Sequence, residues 1–101
     1  MALITSMKFG LTQFIHRDVT ALIGRGIETV VVTGVATNVA IDHTVRDAVQ
    51  YGFRTILLED CCCSSDPAHH EAALMTLRVL STGVIKAKAF LAILSGETNQ
   101  V

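Results

Sequence analysis

The chain is short of several residue types, and each shortage removes a class of protein. Aromatics make up 5% of its 101 residues, with no tryptophan and one tyrosine. That is too few for the stacking platforms that hold single-stranded nucleic acid. Charge of one sign is also lacking: 8 Lys and Arg against 9 Asp and Glu leave a formal net charge of −1. No broad basic field therefore steers it toward nucleic acid or an anionic membrane. Long apolar runs are missing; stretches such as residues 29–32 are strand-sized, whereas a spanning helix needs ~20 apolar residues. Pro67 is the only proline, and there is no low-complexity tract, linker or internal repeat. One domain is expected, since domains commonly run to ~100–150 residues. Residues 1–10 have no basic segment leading into a long apolar one, so no secretory leader is expected. The three cysteines are consecutive, Cys61, Cys62 and Cys63. An odd, contiguous set is not a disulfide framework, and a reducing cytoplasm is the expected setting.

What is present is apolar and patterned. Half the residues are hydrophobic and only 17% charged, which excludes disorder. Residues 17–26 read as a helix, with Val19, Leu22 and Ile23 at helical spacing and Gly24 and Gly26 as its stop. Residues 28–33 form a β-branched run without alternation, the pattern of a parallel strand buried on both faces. From Thr37 or Asn38 to Tyr51 the period is helical. Ile41, Val45, Ala48 and Val49 share one face, Thr37 or Asn38 is expected to cap the start, and Gly52 the end. Residues 54–59 are a second buried strand, and residues 60–66 a polar, cysteine-rich loop. Asp66-Pro67 is an N-cap followed by proline at the first helical position, and the helix it opens turns Ala73, Leu74, Leu77 and Leu80 inward. Val84-Ile85 is a short edge strand and residues 87–94 a last helix. Such alternation predicts an α/β fold with right-handed crossovers: three α-β-α layers around a mostly parallel, Rossmann-like sheet.

Ligands in such sheets bind beyond the carboxyl ends of the strands. Two segments leave strand ends here, residues 33–38 and residues 60–64. The first runs straight into a helix N-terminus, where free N–H groups and the macrodipole favour an anion or a developing oxyanion. It is neither a Walker loop nor a GxGxxG turn, so a nucleotide phosphate is not the expected ligand.

The run Gly26-Ile27-Glu28-Thr29-Val30-Val31-Val32-Thr33-Gly34-Val35-Ala36-Thr37-Asn38-Val39, followed by Thr44-Val45-Arg46-Asp47-Ala48, closely resembles the isochorismatase-like cysteine hydrolase family. Tyr51-Gly52-Phe53-Arg54, then Leu58-Glu59-Asp60 and His70-Glu71-Ala72-Ala73-Leu74, continue the likeness, which extends from about Lys8 through the last helix. The resemblance implies hydrolysis of small amide, ureido or vinyl-ether substrates by an Asp, Lys and Cys triad. It implies that Lys8, six residues before Phe14, occupies the lysine's place. It also implies a cis Val35–Ala36 peptide and an oxyanion hole made by the N–H groups of Ala36 and Ala40, with Val35, Thr37 and Asn38 shaping the turn. The family's cysteine stands six residues after the glycine of the Thr-Gly pair; that position here is Ala40. An alanine methyl has no lone pair and cannot attack a carbonyl. The family's aspartate lies on a first strand well before the lysine, and only seven residues precede Lys8. The resemblance therefore implies a single, N-terminally truncated domain over residues 1–101, impaired in covalent hydrolysis. The alternative is a non-catalytic oligomerising or small-molecule-binding module. A missing first strand leaves a sheet edge bare, which invites pairing and predicts a homo-oligomer.

Other side chains have simpler readings. The cysteine run is read as packing rather than as a substitute nucleophile. Zinc held by it with His69 and His70 is disfavoured, because adjacent residues diverge and structural zinc sites use C-x₂₋₄-C spacing. No metal or cofactor is expected, and a small molecule is the expected ligand. His43, three residues after Ala40, is a surface histidine or a base for a water. Asp42, Arg46 and Asp47 form a solvated face, with Arg46 pairing to Asp42. Asp60 anchors its loop.

Overall fold

The computed structural model describes residues 2–6 and 24–95. Lys8 and most of the helix expected over residues 17–26 lie outside these described residues. The described elements are β1 (Ala2–Ser6), β2 (Thr29–Val35), a π-helical turn (Thr37–Ile41), α1 (Asp42–Gln50), β3 (Arg54–Cys63), α2 (Pro67–Leu80), β4 (Gly83–Ile85) and α3 (Ala87–Leu94). The strands form one sheet in the order β1-β2-β3-β4, and every pairing is parallel.

The β-branched run of β2 sits inside this sheet. Val30, Val31 and Val32 are all buried, and so are Ile56, Leu57 and Leu58 of β3. Side chains alternate across the sheet. Val30, Val32 and Leu57 therefore pack with Ile41, Val45 and Ala48 of the first helical segment and Leu74 and Leu77 of α2. Val31, Ile56 and Leu58 pack on the opposite face with Ile85, Ala87 and Phe90. Helices on both faces of a parallel sheet give the expected three layers.

Four sequence expectations are revised. The sequence pattern predicts no strand before Glu28, yet residues 2–6, Ala-Leu-Ile-Thr-Ser, run beside β2 from Ala2↔Val30 to Ser6↔Gly34. That edge of β2 is therefore covered rather than bare. β3 extends through Cys63, so the cysteines are strand residues, not loop. The pairing of β2 with β3 jumps from Val32↔Leu57 to Gly34↔Cys62, and β3 accommodates three extra residues at this irregularity. Gly34 has φ 124 there, a conformation that side chains disfavour. Leu80 is not in the core; it is 36% exposed at the last turn of α2, one turn beyond Leu77. Thr37 and Asn38 do not cap the helix; their side chains take distant partners instead.

The other punctuation holds. The Asp66 carboxylate accepts from the Ala68 N–H at 2.8 Å with proline at the start of α2. Gly52 follows α1 at φ 88, and the Gly52 N–H reaches the Val49 carbonyl at 3.0 Å. No helix among the described residues is long and apolar enough to cross a membrane.

Candidate functional site

β2 ends at Val35, and the chain turns through a cis Val35–Ala36 peptide into the π-helical turn. The carbonyl of Ala36 accepts from two backbone donors, Val39 N–H and Ile41 N–H, each at 3.1 Å. The second bond spans five residues and widens the first turn before α1 continues as an ordinary helix. Val35, Ala36, Thr37, Asn38 and Ala40 thus lie together at the carboxyl end of β2, where an open parallel sheet binds its ligands.

Side chains lock this turn to its neighbours. Thr37 is fully buried, and its Oγ1 lies 2.7 Å from Nδ1 of His70 in the first turns of α2. The hydroxyl donates when His70 carries its proton on Nε2 and accepts when Nδ1 is protonated. Asn38 Oδ1 accepts from the Ser64 hydroxyl at 2.8 Å, tying the turn to the end of β3. These long-range bonds explain why neither residue caps the helix: Ala36 occupies the cap position, without a side-chain bond. The sequence assigns no role to His70 or Ser64, although His70 stands inside one of the family-like strings. A spacing pattern does not reveal which residue 33 positions away meets Thr37.

Ala40 is 8% exposed in the first helical turn, with Val35 and Val39 open to solvent beside it. The remaining candidates separate by environment. His43 is exposed, and its Nδ1 donates to the Val39 carbonyl at 2.9 Å. Arg46 pairs with Asp42 at 2.8 Å on the surface, an i,i+4 contact of about 0.3–0.5 kcal/mol. Asp60 accepts from the Ala87 N–H at 2.9 Å, so its carboxylate holds the start of α3, as a loop-anchoring residue should.

The cysteine run, expected to pack, does so only at Cys62, because alternation along β3 turns its two neighbours outward. Cys62 is buried with Leu57, Leu74 and Leu77, whereas Cys61 and Cys63 are exposed. Burial pushes the Cys62 thiol from 9.0 up to about 12; a backbone hydrogen bond from Gly34 opposes this, and its neighbours Cys61, Cys63 and Asp60 add to it. A thiol so held is protonated near neutrality and is a packing group, not a nucleophile. Among the described residues, no three His, Cys, Asp or Glu side chains gather as metal ligands. His69 instead leans toward Asp66 at 3.8 Å. A shallow groove between the start of α1 and α2 is lined by Asn38, Asp42, His69, Ala72 and Ala73.

The family model described as "Isochorismatase domain" matches residues 4–89. An uncharacterized isochorismatase family protein of Bacillus subtilis is 40% identical over 50 residues, which is 50% of this chain and 26% of that protein. A ureidoacrylate amidohydrolase of Methylorubrum extorquens is 38% identical over 74 residues, covering 72% of this chain and 30% of that one. Among solved structures, an isochorismatase-like hydrolase from Alkaliphilus metalliredigens superposes with a TM-score of 0.77 at 32% identity, over 83% of this chain and 47% of that chain. The chain thus spans about a quarter to a third of the length of these curated relatives, and about half of the solved one.

Proposed function

The chain belongs to the isochorismatase family of hydrolases, and from that membership we propose that it retains the family's binding turn but not its covalent chemistry. The observation that carries this reading is Ala40. It stands in the first helical turn after the cis Val35–Ala36 peptide, six residues beyond Gly34, where the family resemblance puts the attacking cysteine. An alanine at this point forms no thioester. Backbone donors do not depend on the side chain, so the N–H groups of Ala36 and Ala40 remain suited to a carbonyl or carboxylate oxygen. Relatives such as the ureidoacrylate amidohydrolase support small amide or ureido ligands, and the family resemblance adds vinyl ethers. Lys8, which matches the family's lysine, is the cation this reading assigns to the site.

The test is release of ammonia or carbamate from amide and ureido substrates by the purified chain, with Ala40→Cys assayed alongside. The unaltered chain is expected to show no turnover above buffer, and Ala40→Cys is expected to exceed it. Sustained turnover by the unaltered chain, lost in Lys8→Ala or His43→Ala, overturns the reading.

A non-catalytic assembly module is the second reading. What favours it is exposed apolar surface on two helices: Met75 and Val79 on α2 are 68% and 83% exposed, and Leu91 and Leu94 on α3 61% and 52%. Large apolar side chains one turn apart favour a covered face. Sedimentation or light scattering that gives a homo-oligomer supports this reading, and a monomer at all concentrations opposes it.

A further inference from the structure

We propose that Cys61 and Cys63 form a surface dithiol that exchanges with low-molecular-weight disulfides, closing reversibly to a Cys61–Cys63 disulfide. In a strand, residues i and i+2 project to the same face, and the residue between them to the other. The burial of this run follows that rule: Cys61 is exposed, Cys62 is packed in the core and Cys63 is exposed. Both thiols face solvent, and the Cys61 Sγ donates to the Asp60 carboxylate at 4.0 Å. The third is held away from them among Leu57, Leu74 and Leu77. Neither exposed cysteine has an apolar packing role to justify a thiol in water, so their chemistry is what remains to account for them.

Extended backbone separates the Cα atoms of i and i+2 by about 6.6 Å, from a rise of ~3.3 Å per residue. That is near the upper limit of about 6.8 Å for a disulfide. Closure is therefore possible but shortens the strand locally. Cys61 is the last residue of the irregular stretch, between Leu57 and Cys62, that already departs from regular pairing with β2. A bond under such strain is easily reduced again, the property of labile rather than structural disulfides. With glutathione disulfide as oxidant, the Cys63 thiolate attacks one sulfur and forms a mixed disulfide, expelling one glutathione thiolate. The Cys61 thiolate then attacks the Cys63 sulfur, forms the intramolecular bond and expels the second. The two cysteine protons pass to solvent and thence to the glutathione thiolates. The protein is oxidised by two electrons and one glutathione disulfide is reduced to two glutathiones. Cys63 also pairs with Val35 in the sheet, so this chemistry takes place next to the candidate binding turn.

The full chain is incubated with excess glutathione disulfide, quenched with acid and measured by intact mass and peptide mapping. The expected product is the chain minus two hydrogens, with Cys61 linked to Cys63 and Cys62 still alkylatable after unfolding. Cys61→Ser and Cys63→Ser are each expected to stop at a single stable glutathione adduct on the remaining exposed thiol. Cys62→Ala is expected to close as the unaltered chain does. All four return to the starting mass on reduction. Linkage through Cys62, disulfides only between chains, or a doubly glutathionylated chain that never closes would each overturn the proposal.

Discussion

Removing the Thr37 hydroxyl and removing the His70 ring should have unequal effects, although both break the same 2.7 Å hydrogen bond. Thr37 is fully buried, whereas His70 is half-buried at the edge of the first turns of α2. In Thr37→Val the imidazole regains water, so the loss is the net value of one hydrogen bond, about 1 kcal/mol. In His70→Ala the hydroxyl stays behind with no water to meet it. The cost then includes its desolvation, about 1–3 kcal/mol, beyond the ring's own packing. The sharper consequence lies in the double variant. Once His70 is gone, Thr37→Val removes a stranded polar atom and should be neutral or stabilising, whereas in the unaltered background it destabilises. The difference between the two Thr37→Val effects is the coupling energy of a double-mutant cycle. Urea unfolding gives the four stabilities directly. In a domain of this size 1 kcal/mol moves Tm by about 4–8 °C, so thermal scans resolve the same differences. If Thr37→Val costs the same with and without His70, the two residues are not coupled, and the account of how the turn is held is wrong.

Further outcomes follow from the packing and the caps. Leu77→Ala, at a site with no exposure, should cost about 2–5 kcal/mol in urea unfolding, while Val79→Ala, two residues on at 83% exposure, should change stability by less than about 0.5 kcal/mol. Asp66→Ala removes the side chain that accepts from Ala68 N–H and should cost about 1 kcal/mol, measured the same way. The Cys62 thiol, raised from 9.0 to about 12 in the folded chain, links stability to alkaline pH. A raised pKa stabilises fully below the unfolded value and is lost as pH climbs toward the folded one. The unaltered chain should therefore lose more stability between pH 9 and about 12 than Cys62→Ala does, and equal losses would refute the burial argument. In the same folded chain under mildly alkaline conditions, iodoacetamide should modify Cys61 and Cys63 and leave Cys62 for the unfolded state.

The local patterns were legible where local physics decides them. The unalternating valines gave a strand buried on both faces, Asp66-Pro67 gave a helix start, and residues 87–94 gave the last helix. Gly52 takes positive φ just after α1, as a helix stop often does, whereas Gly34, which reads as a break, lies inside β2. What was missed depends on pairing across the chain. Cysteines have no strong strand pattern of their own, and only the partners Gly34 and Val35 on β2 extend β3 to Cys63. Five residues at the start became a strand because β2 offers an open edge, which hydropathy alone does not reveal. Asx and hydroxyl residues at a helix start are read as caps by proximity. Thr37 and Asn38 took distant partners, His70 and Ser64, because the fold put α2 and the end of β3 against the turn. The candidate turn itself was legible as a resemblance, including its cis Val35–Ala36 peptide.

With Ala40 in the cysteine's place, the chain should hydrolyse no substrate through a covalent intermediate. The most direct measurement is acid-quenched mass spectrometry of the full chain mixed with saturating ureido and amide acids, sampled from milliseconds to hours. The unmodified mass is expected at every time, with the ligand recovered intact. An acyl or carbamoyl adduct that appears and then decays with product release, on any residue of the chain, would contradict it.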